Sequence, residues 1–264
     1  MNGTAIDYWT ATASVYQSLT RISCNDFHYG PLLPGENSLG LFLDRLAPGM
    51  TALELGSGAG QNSIFLAKRG LCCTALDGAP AQLEHGKKLA CAQGVDVDFR
   101  ICDLDGYTPA PEFHSAFDLV HSVFTLPFLS NGLAFFGAVA KCLKPGGTFV
   151  LATAHPLFTG DWVEMDDGGM GVFIENYFSP PADQRCTEEG YAATSCPVPV
   201  STLCEWCRDA GMRVERLLEP KPVSVEGMTE EEFKETIPYD SDGWRKLVDI
   251  MRRIPVAVVL VAQK

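Results

Sequence analysis

Three glycines at alternate positions, Gly56, Gly58 and Gly60, constrain this chain more than any other feature of its sequence. The apolar stretch from Ala52 to Leu55 precedes them and predicts a buried strand, and the residues from Asn62 to Lys68 predict a helix. Glycine permits the backbone dihedrals of a tight turn and lets a ligand approach the main chain closely. Strand, glycine turn and helix in this order predict a nucleotide-binding site.

The spacing of the glycines narrows the kind of nucleotide. A dinucleotide-binding turn needs a third glycine where this chain has Gln61, and no Gly-Lys-Ser/Thr follows as in a phosphate-binding loop. An acidic residue, Glu54, stands on the strand just before the turn. A carboxylate there would repel a pyrophosphate but suits an ammonium group.

Further acidic residues follow the next predicted strands. The strand from Cys72 ends at Asp77, which is placed to accept hydrogen bonds from both hydroxyls of a ribose. The alternative role for Asp77 is a helix N-cap, although Ala79 intervenes before the helix that begins at Pro80. A third strand precedes Asp103, and two more strands follow, from Ala116 to Phe124 and from Thr148 to Thr153.

In sequence order, Glu54-x-Gly-x-Gly-x-Gly60, Asp77, Asp103, Phe117-Asp118 and Lys144-Pro-Gly-Gly147 resemble the motifs of class I S-adenosylmethionine (SAM) dependent methyltransferases. The resemblance covers about residues 53 to 153 and implies an α/β fold. It implies a Rossmann-like, doubly wound sheet of seven strands, mostly parallel with the last strand antiparallel. It also implies SAM as cofactor, S-adenosylhomocysteine as product, and SN2 transfer of a methyl group to an oxygen, nitrogen or carbon nucleophile.

The resemblance and the chemistry of the side chains predict the site residues. Those predicted to bind the cofactor are Tyr29, Glu54, Gly56, Ser57, Gly58, Gly60, Gln61, Asp77, Gly78, Gln82, Asp103, Leu104, His121 and Ser122. Those predicted to bind the acceptor are His28, Phe124, His155, Trp162, Phe173 and Tyr177.

A catalytic base is needed only if the acceptor loses a proton during attack. His28, His121 and His155 are the candidates, because histidine titrates near neutrality. The alternative role of each is structural. His121 would then line the cofactor, and His155 would brace the turn before Pro156.

The chain divides into a predicted N-terminal helical lid, residues 1–48, and a SAM-binding domain, residues 49–264, with a cap insertion at 157–199. Helices are predicted for 37–46 and 243–253. The aromatic-rich cap favours an apolar or aromatic acceptor. In the loop around residue 28, either His28 and Tyr29 form a lid or pocket wall, or Phe27 and Tyr29 anchor the N-terminal segment on the core with His28 exposed.

The formal net charge of −13 disfavours nucleic acid and anionic membrane as partners. The N-terminus shows no secretory pattern and the longest apolar run is too short to span a bilayer, so a cytoplasmic protein is expected. The ten cysteines are then expected to be reduced, and the spacing of Cys186, Cys196, Cys204 and Cys207 does not favour a zinc site. No metal is therefore predicted.

The favoured function is methylation of a small molecule, plausibly in secondary metabolism, by a monomer or homodimer. The alternative is a protein of the same fold that binds SAM but acts as a cyclase or binding module without methyl transfer. A nucleic-acid or protein methyltransferase is disfavoured by the charge and by the lack of an Asn/Asp-Pro-Pro-Tyr motif.

Overall fold

A computed structural model of the chain describes residues 4–166, 168–224 and 227–264. Its centre is a seven-stranded sheet with the spatial order β6-β7-β5-β4-β1-β2-β3. The strands are β1 Thr51–Leu55, β2 Cys72–Asp77, β3 Asp98–Ile101, β4 Phe117–Val123, β5 Leu143–Ala154, β6 Arg213–Leu218 and β7 Ala257–Gln263. Strands β1 to β5 pair in parallel, and β7 lies antiparallel between β5 and β6. The predicted doubly wound sheet with an antiparallel last strand is confirmed.

Helices and short strand pairs surround the sheet. The α-helices are α1 Ala5–Leu19, α2 Glu36–Leu39, α3 Gln61–Ala67, α4 Pro80–Gln93, α5 Gly132–Cys142, α6 Val200–Asp209, α7 Glu230–Thr236, α8 Asp242–Arg245 and α9 Val248–Met251. Single 3-10 turns are formed by Leu43–Arg45, Pro111–Phe113, Leu126–Phe128 and Pro156–Thr159. Among the helices of the described ranges, none is both long and apolar enough to cross a membrane.

The central strands of the sheet are buried on both faces because they are apolar at consecutive positions. In β7, Val258 and Leu260 belong to the core on one face, whereas Val259 and Val261 belong to the core on the other. Successive side chains of a strand point to opposite faces. A strand that is apolar at both sets of positions therefore needs helices on both sides of the sheet, as this fold provides.

The helix predicted for residues 37–46 is wrong. Helix α2 ends at Leu39, because Gly40 adopts a left-handed conformation with φ of 54°. The buried Glu36 carboxylate then accepts the backbone N–H groups of Leu41, Phe42 and Leu43. These N–H groups would otherwise have bonded to carbonyls one turn earlier in a continuous helix.

Other predicted boundaries also change. The helix predicted for 243–253 is two short helices, α8 and α9, separated by two residues. Strand β5 begins at Leu143 and so includes the Lys-Pro-Gly-Gly turn, because Leu143 pairs with Phe117 across a register shift. The cap insertion contains two antiparallel strand pairs among its described residues, Asp161–Glu164 with Met170–Phe173 and Asp183–Cys186 with Ala192–Ser195.

A small strand pair joins the N-terminal part of the chain to its C-terminal part. Arg21–Ile22 pairs antiparallel with Tyr239–Asp240. The buried Asp240 carboxylate accepts hydrogen bonds from the guanidinium groups of Arg21 and Arg245, at 2.7 to 2.8 Å. This connection fixes the segment after α1 against the region before α8, and so helps to position α1 over the sheet.

Candidate cofactor and acceptor site

The candidate site lies where the strand order reverses. Strand β1 has β2 on one side and β4 on the other, so the connections after β1 and β4 leave the sheet in opposite directions. In open α/β sheets, ligands bind in the crevice beyond the carboxyl ends of the strands at this point. The predicted glycine turn, Asp77 and the residues after His121 all stand at these strand ends.

The three glycines of the turn have different surroundings. All three have positive φ, at 77° for Gly56, 54° for Gly58 and 68° for Gly60. A Cβ at Gly56 would collide with Thr125, and a Cβ at Gly60 would collide with Phe99. A Cβ at Gly58 would meet nothing within 4 Å. Gly56 and Gly60 are therefore needed for packing, whereas Gly58 presents bare backbone to the crevice.

Asp77 is held by the backbone of the same turn. One carboxylate oxygen accepts the Gly58 N–H at 2.7 Å and the other accepts the Ala79 N–H at 2.8 Å. Burial raises the pKa of Asp77, and these two hydrogen bonds oppose the rise. Helix α4 has Ala79 as its N-cap residue, so Asp77 is not the N-cap of this helix. Its carboxylate is fixed in orientation and retains lone pairs for a ligand.

Helix α1 covers the glycine turn. Gln17 accepts a hydrogen bond from Gln61 at 3.0 Å and donates one to Gln82 at 2.9 Å, which links α1 to both α3 and α4. At the other end of α1, the Ile6 side chain lies where a Cβ at Gly78 would stand, at 2.8 Å. The predicted cofactor residues Gln61, Gly78 and Gln82 thus lie beneath α1.

Glu54 and His121 lie side by side inside the protein. The Glu54 carboxylate accepts hydrogen bonds from the Ser63 hydroxyl at 2.5 Å and the Ser63 N–H at 3.2 Å, which fixes α3 to the end of β1. Its other oxygen lies 3.8 Å from His121 Nδ1, too far for a hydrogen bond. Burial raises the pKa of Glu54 to about 8. Glu54 therefore contacts α3 and His121, and its predicted contact with the cofactor stays a prediction.

His121 is wholly buried, and neither of its ring nitrogens has a hydrogen-bond partner among the described residues. Burial lowers its pKa to about 3, and the nearby His28 contributes to the same shift. The ring packs edge-on against Phe27, with centroids 5.1 Å apart. The next residue, Ser122, donates its hydroxyl to the Leu55 carbonyl at 2.7 Å and so joins β4 to β1.

His28 is positioned by Asn62 at the start of α3. The His28 N–H donates to the Asn62 side chain at 2.9 Å, and the Asn62 amide donates back to the His28 carbonyl at 3.1 Å. Its Nδ1 is buried without a partner among the described residues, and burial lowers its pKa to about 4. The ring packs edge-on against Tyr239 at 5.4 Å. His28 is therefore not the exposed residue of the anchor alternative.

Tyr29 lies in the core of the N-terminal segment. Its side chain is fully buried and its hydroxyl donates to the Glu36 carboxylate at 2.5 Å. Phe27 packs against both Tyr29 and Phe42. These contacts correspond to the anchor alternative for Phe27 and Tyr29. The predicted contact of Tyr29 with the cofactor stays a prediction.

The other predicted cofactor residues, Ser57, Asp103 and Leu104, differ in burial and in their contacts. Ser57 is buried in the turn, and its N–H donates to the Leu76 carbonyl. Asp103 is exposed after β3 and accepts the Asp105 N–H at 2.9 Å. Leu104 is buried in the core. Asp103 therefore has room for a ligand, whereas Leu104 contributes mainly packing.

His155 has both ring nitrogens engaged. Nδ1 accepts the Leu157 N–H at 3.1 Å, and Nε2 lies 2.8 Å from the Glu219 carboxylate. The side chain is buried and caps the 3-10 turn that begins at Pro156. These contacts match the structural alternative for His155. Its role as a base would require one of these two hydrogen bonds to be broken.

Phe124 directly follows β4 and has a positive φ of 58°, which is a strained conformation for a bulky side chain. Its ring fills the space beside Gly30, where a Cβ would lie 2.7 Å from the ring edge. The Phe124 N–H donates to the Ala152 carbonyl at 2.8 Å. Backbone strain of this kind clusters at ligand sites, and the position is that predicted for an acceptor contact.

The predicted acceptor residues of the cap are spread apart. Trp162 is half-buried in the first strand pair, opposite Val172. Phe173 is 57% exposed, so its side chain lies on the surface of this strand pair rather than in a pocket. The predicted contact of Phe173 with the acceptor stays a prediction. Tyr177 is half-buried and its hydroxyl accepts the Val200 N–H at 3.4 Å, which links the cap to α6.

Sequence reasoning missed the aromatic residues that α1 and the 239–244 segment bring to the crevice. The Tyr16 and Tyr239 hydroxyls lie 3.0 Å apart. Trp9 packs edge-on against Tyr16 and against Phe128, just after β4. Trp9, Ala13 and Tyr16 are spaced so that they lie on one face of a helix. This shared face could be predicted from the sequence. Tyr239 gave no such signal.

Among the described residues, no group of three or more His, Cys, Asp or Glu side chains has a metal-binding arrangement.

The comparisons with known proteins agree with this geometry. A protein-family model described as a methyltransferase domain matches residues 52–147. The ubiquinone biosynthesis O-methyltransferase of Paramagnetospirillum magneticum is 34% identical over 107 residues, which are 40% of this chain and 41% of that protein. The enzyme of the same description from Xanthomonas campestris pv. campestris is 34% identical over 108 residues, 41% of this chain and 44% of its own length. The chain thus spans less than half the length of these curated relatives.

Similar solved structures cover more of the chain at lower identity. An S-adenosylmethionine dependent methyltransferase from Mesorhizobium loti has a TM-score of 0.63 at 20% identity, over 84% of this chain and 95% of that one. The [4+2]-cyclase SpnF has a TM-score of 0.59 at 16% identity, over 98% of this chain and 94% of that one. At sequence identities this low, the similarity shows a shared fold and nothing about the reaction.

The residues at the crevice fit the cofactor that this fold implies. Gly58 offers unhindered backbone, and the fixed Asp77 carboxylate beside it is a strong acceptor for hydroxyl groups. The exposed Asp103 lies at the end of the neighbouring strand. An adenosyl group has hydroxyl and amino donors that match such acceptors.

Proposed function

We propose that this chain, whose residues 52–147 match a methyltransferase domain, is a class I SAM-dependent methyltransferase that methylates a small molecule. The acceptor nucleophile in this proposal is an oxygen, nitrogen or carbon atom. A role in secondary metabolism and a cytoplasmic location are part of the same proposal. The net charge of −13 supports a small molecule over a nucleic acid as acceptor.

The observation that carries the proposal is the pairing of Gly58 with Asp77. A glycine at positive φ with nothing near its Cβ position lies next to a carboxylate held in place by the same backbone N–H. The open space at Gly58 takes no part in packing. Together they form a preorganised surface for a ribose at the switch point of the sheet.

The cofactor, when bound, supplies a methyl group on a sulfonium sulfur, and the C–S bonding pair stays on sulfur as the new bond to the acceptor forms. Alignment of the acceptor in an enclosed site can then supply roughly 7 to 11 kcal/mol of the rate enhancement. In this proposal α1 and the cap provide the enclosure. Residues 1–48 act as the lid, and residues 157–199 contribute the acceptor side.

A hydroxyl acceptor releases a proton, which needs a receiving group. His28 is the best placed of the three predicted histidines, because its Nδ1 has no partner among the described residues and its ring packs against Tyr239. Its pKa, lowered to about 4 by burial, keeps the ring neutral near neutral pH. A neutral imidazole can accept the proton as the acceptor oxygen becomes more acidic during attack. His121 is also neutral, but it is enclosed between Glu54 and Phe27.

Calorimetric titration with SAM and with S-adenosylhomocysteine tests the cofactor site directly. We expect micromolar binding of both and, with a panel of small aromatic acceptors, release of S-adenosylhomocysteine together with a methylated product. If neither SAM nor S-adenosylhomocysteine binds, the proposal is contradicted.

A protein of this fold that binds SAM without transferring its methyl group is the second candidate, supported by the fold similarity to a [4+2]-cyclase. Binding of SAM with no S-adenosylhomocysteine released by any acceptor of the panel favours that candidate.

A further inference from the structure

We propose that the tyrosine pair, Tyr16 and Tyr239, together with His28 forms the acceptor-recognition site and selects an uncharged hydroxyl group. The proposal rests on the proposed methyltransferase function and adds to it the chemical class of the acceptor. It assigns acceptor positioning to two tyrosines that come from opposite ends of the chain.

The tyrosine pair joins the lid, which contains Tyr16, to the segment before α8, which contains Tyr239. Tyr16 is on the inward face of α1, next to Gln17, which is bonded to the buried amides beside the glycine turn. Trp9 on the same face packs against Phe128, which follows β4. Tyr239 lies in the short strand that pairs with residues 21–22. The pair is therefore held between the lid and the segment before α8.

Counting hydrogen-bonding groups shows that the pair has one O–H to spare. The two hydroxyls share one hydrogen bond at 3.0 Å, in which either can be the donor. If Tyr16 donates within the pair, the Tyr239 proton is left over, and if Tyr239 donates, the Tyr16 proton is left over. One tyrosine O–H therefore remains for a bound ligand in either case.

His28 supplies the complementary group. Its ring stands edge-on to Tyr239, and its Nδ1 is buried with no partner among the described residues. In the tautomer with the proton on Nε2, Nδ1 is an acceptor. The leftover donor of the tyrosine pair and the unpartnered acceptor of His28 thus belong to rings that pack against each other. A ligand hydroxyl, which both accepts and donates, satisfies the two at once.

Charged groups match this arrangement less well. A carboxylate can accept from the tyrosine O–H but cannot donate to His28, and an ammonium group can donate but cannot accept. Burial raises the pKa of both tyrosines, so both are protonated near neutral pH. The guanidinium of Arg185 in the cap acts on both tyrosines, and it is ion-paired to Asp183 at 3.0 Å. This pairing reduces the attraction of Arg185 for an anionic ligand.

Three matched probes decide the question: p-cresol, p-toluate and p-methylbenzylamine carry a hydroxyl, a carboxylate and an ammonium group on one ring. Their binding to the complex of the full chain with S-adenosylhomocysteine is measured by calorimetry or ligand-observed NMR. We expect p-cresol to bind at least about tenfold more tightly than the other two, because only the hydroxyl pairs with both protein groups.

Variants identify the residues responsible. Tyr16→Phe and Tyr239→Phe keep the rings but remove one hydroxyl each, and His28→Ala removes the acceptor. Each is expected to weaken p-cresol binding by about threefold to tenfold, with the affinity for S-adenosylhomocysteine unchanged. The control is Tyr191→Phe at the exposed turn of the cap, which is expected to change neither affinity.

Each result bears on a different claim. Equal or tighter binding of p-toluate, binding of p-cresol that the three variants do not weaken, or no p-cresol binding to a protein that binds S-adenosylhomocysteine overturns the assignment of the tyrosine pair. Absence of S-adenosylhomocysteine binding in the unmodified chain instead overturns the proposed function, and this inference with it.

Discussion

The Gly58 N–H donates a 2.7 Å hydrogen bond to the carboxylate of Asp77, nineteen positions further along the chain. The bond joins the turn after β1 to the end of β2, two neighbouring strands of the sheet. A second bond, from the Ala79 N–H, fixes the other oxygen of the same carboxylate. Asp77 is thus oriented by backbone alone, before any ligand binds, and such preorganisation lowers the entropic cost of binding.

Replacing Asp77 by Ala is expected to weaken binding of S-adenosylhomocysteine more than about tenfold, because two charge-assisted hydrogen bonds to a ribose would be lost. An analogue lacking the ribose 2′-hydroxyl separates this role from a structural one. The unmodified chain should bind the analogue less well than S-adenosylhomocysteine, whereas the Ala variant should bind the two alike. Calorimetry measures all four affinities. A variant that still discriminates between the two ligands would remove Asp77 from the ribose role.

Gly58→Ala tests the open backbone of the turn, and Gly94→Ala is its matched control. Both glycines have positive φ, at 54° and 68°, and a Cβ would meet nothing within 4 Å at either. The two variants should therefore lose similar stability, about 1 to 2 kcal/mol, from the left-handed conformation. Only Gly58→Ala should also weaken binding of S-adenosylhomocysteine, because its methyl group projects into the proposed site. Equal affinities of the two variants for this ligand would argue against a cofactor at Gly58.

The sheet could be predicted because the sequence signals of its central strands lie within short stretches of the chain. Strands β1, β2, β4 and β5 each contain an apolar run next to a turn signal, and the glycine motif fixes the place of β1. Where a prediction was wrong, a distant or buried polar group decided the outcome. Glu36 replaces helical hydrogen bonds after Leu39, and no periodicity in the sequence shows that its carboxylate will be buried.

The acceptor side could be predicted only in part for a similar reason. His28 and Phe124 were found because each is next to a recognisable motif or strand end. The contact of Tyr16 with Tyr239 spans 223 positions and depends on a strand pair of two residues at each end. Strands this short give no alternation pattern to detect. The same limit applies to the cap, where Phe173 gave a strong aromatic signal but lies on the surface.

Glu54 gives the protein a predictable dependence of stability on pH. Burial raises its pKa to about 8, whereas a glutamate in an unfolded chain titrates at about 4.3. Between these values the folded protein holds a proton that the unfolded chain has released. Rising pH therefore lowers the free energy of unfolding, by about 1.4 kcal/mol per pH unit for this one group.

Urea unfolding of the unmodified chain and of Glu54→Gln, at pH of about 6.5 and about 7.5, measures this contribution. Over that unit the unmodified chain should lose roughly 1.4 kcal/mol relative to the variant. His28 and His121 have pKa values lowered to about 4 and about 3, and they are present in both proteins, so their contributions cancel in the comparison. Glu188→Gln, at an exposed position of the cap, should follow the unmodified chain. Parallel pH dependence of Glu54→Gln and the unmodified chain would show that Glu54 is ionised in the folded protein.

Gln17 is expected to hold the lid closed. Its side chain is bonded to both Gln61 and Gln82, whose side chains are 5% and 3% exposed and so have little access to water. In Gln17→Ala both buried amides lose a partner, which should cost about 1 to 3 kcal/mol for each group left unsatisfied. Because α1 would open more often, its backbone amides should exchange with solvent faster, and S-adenosylhomocysteine should dissociate faster.

Hydrogen exchange of α1 and stopped-flow dissociation of S-adenosylhomocysteine measure the two effects in the same variant. Ser14→Ala is the control, since Ser14 lies on the exposed face of the same helix and the change favours helix formation slightly. If Gln17→Ala and Ser14→Ala show the same exchange in α1, the amide contacts do not hold the helix down. Faster exchange without faster ligand release would mean that α1 moves but does not enclose the cofactor, because a true lid links its own opening to escape of the ligand.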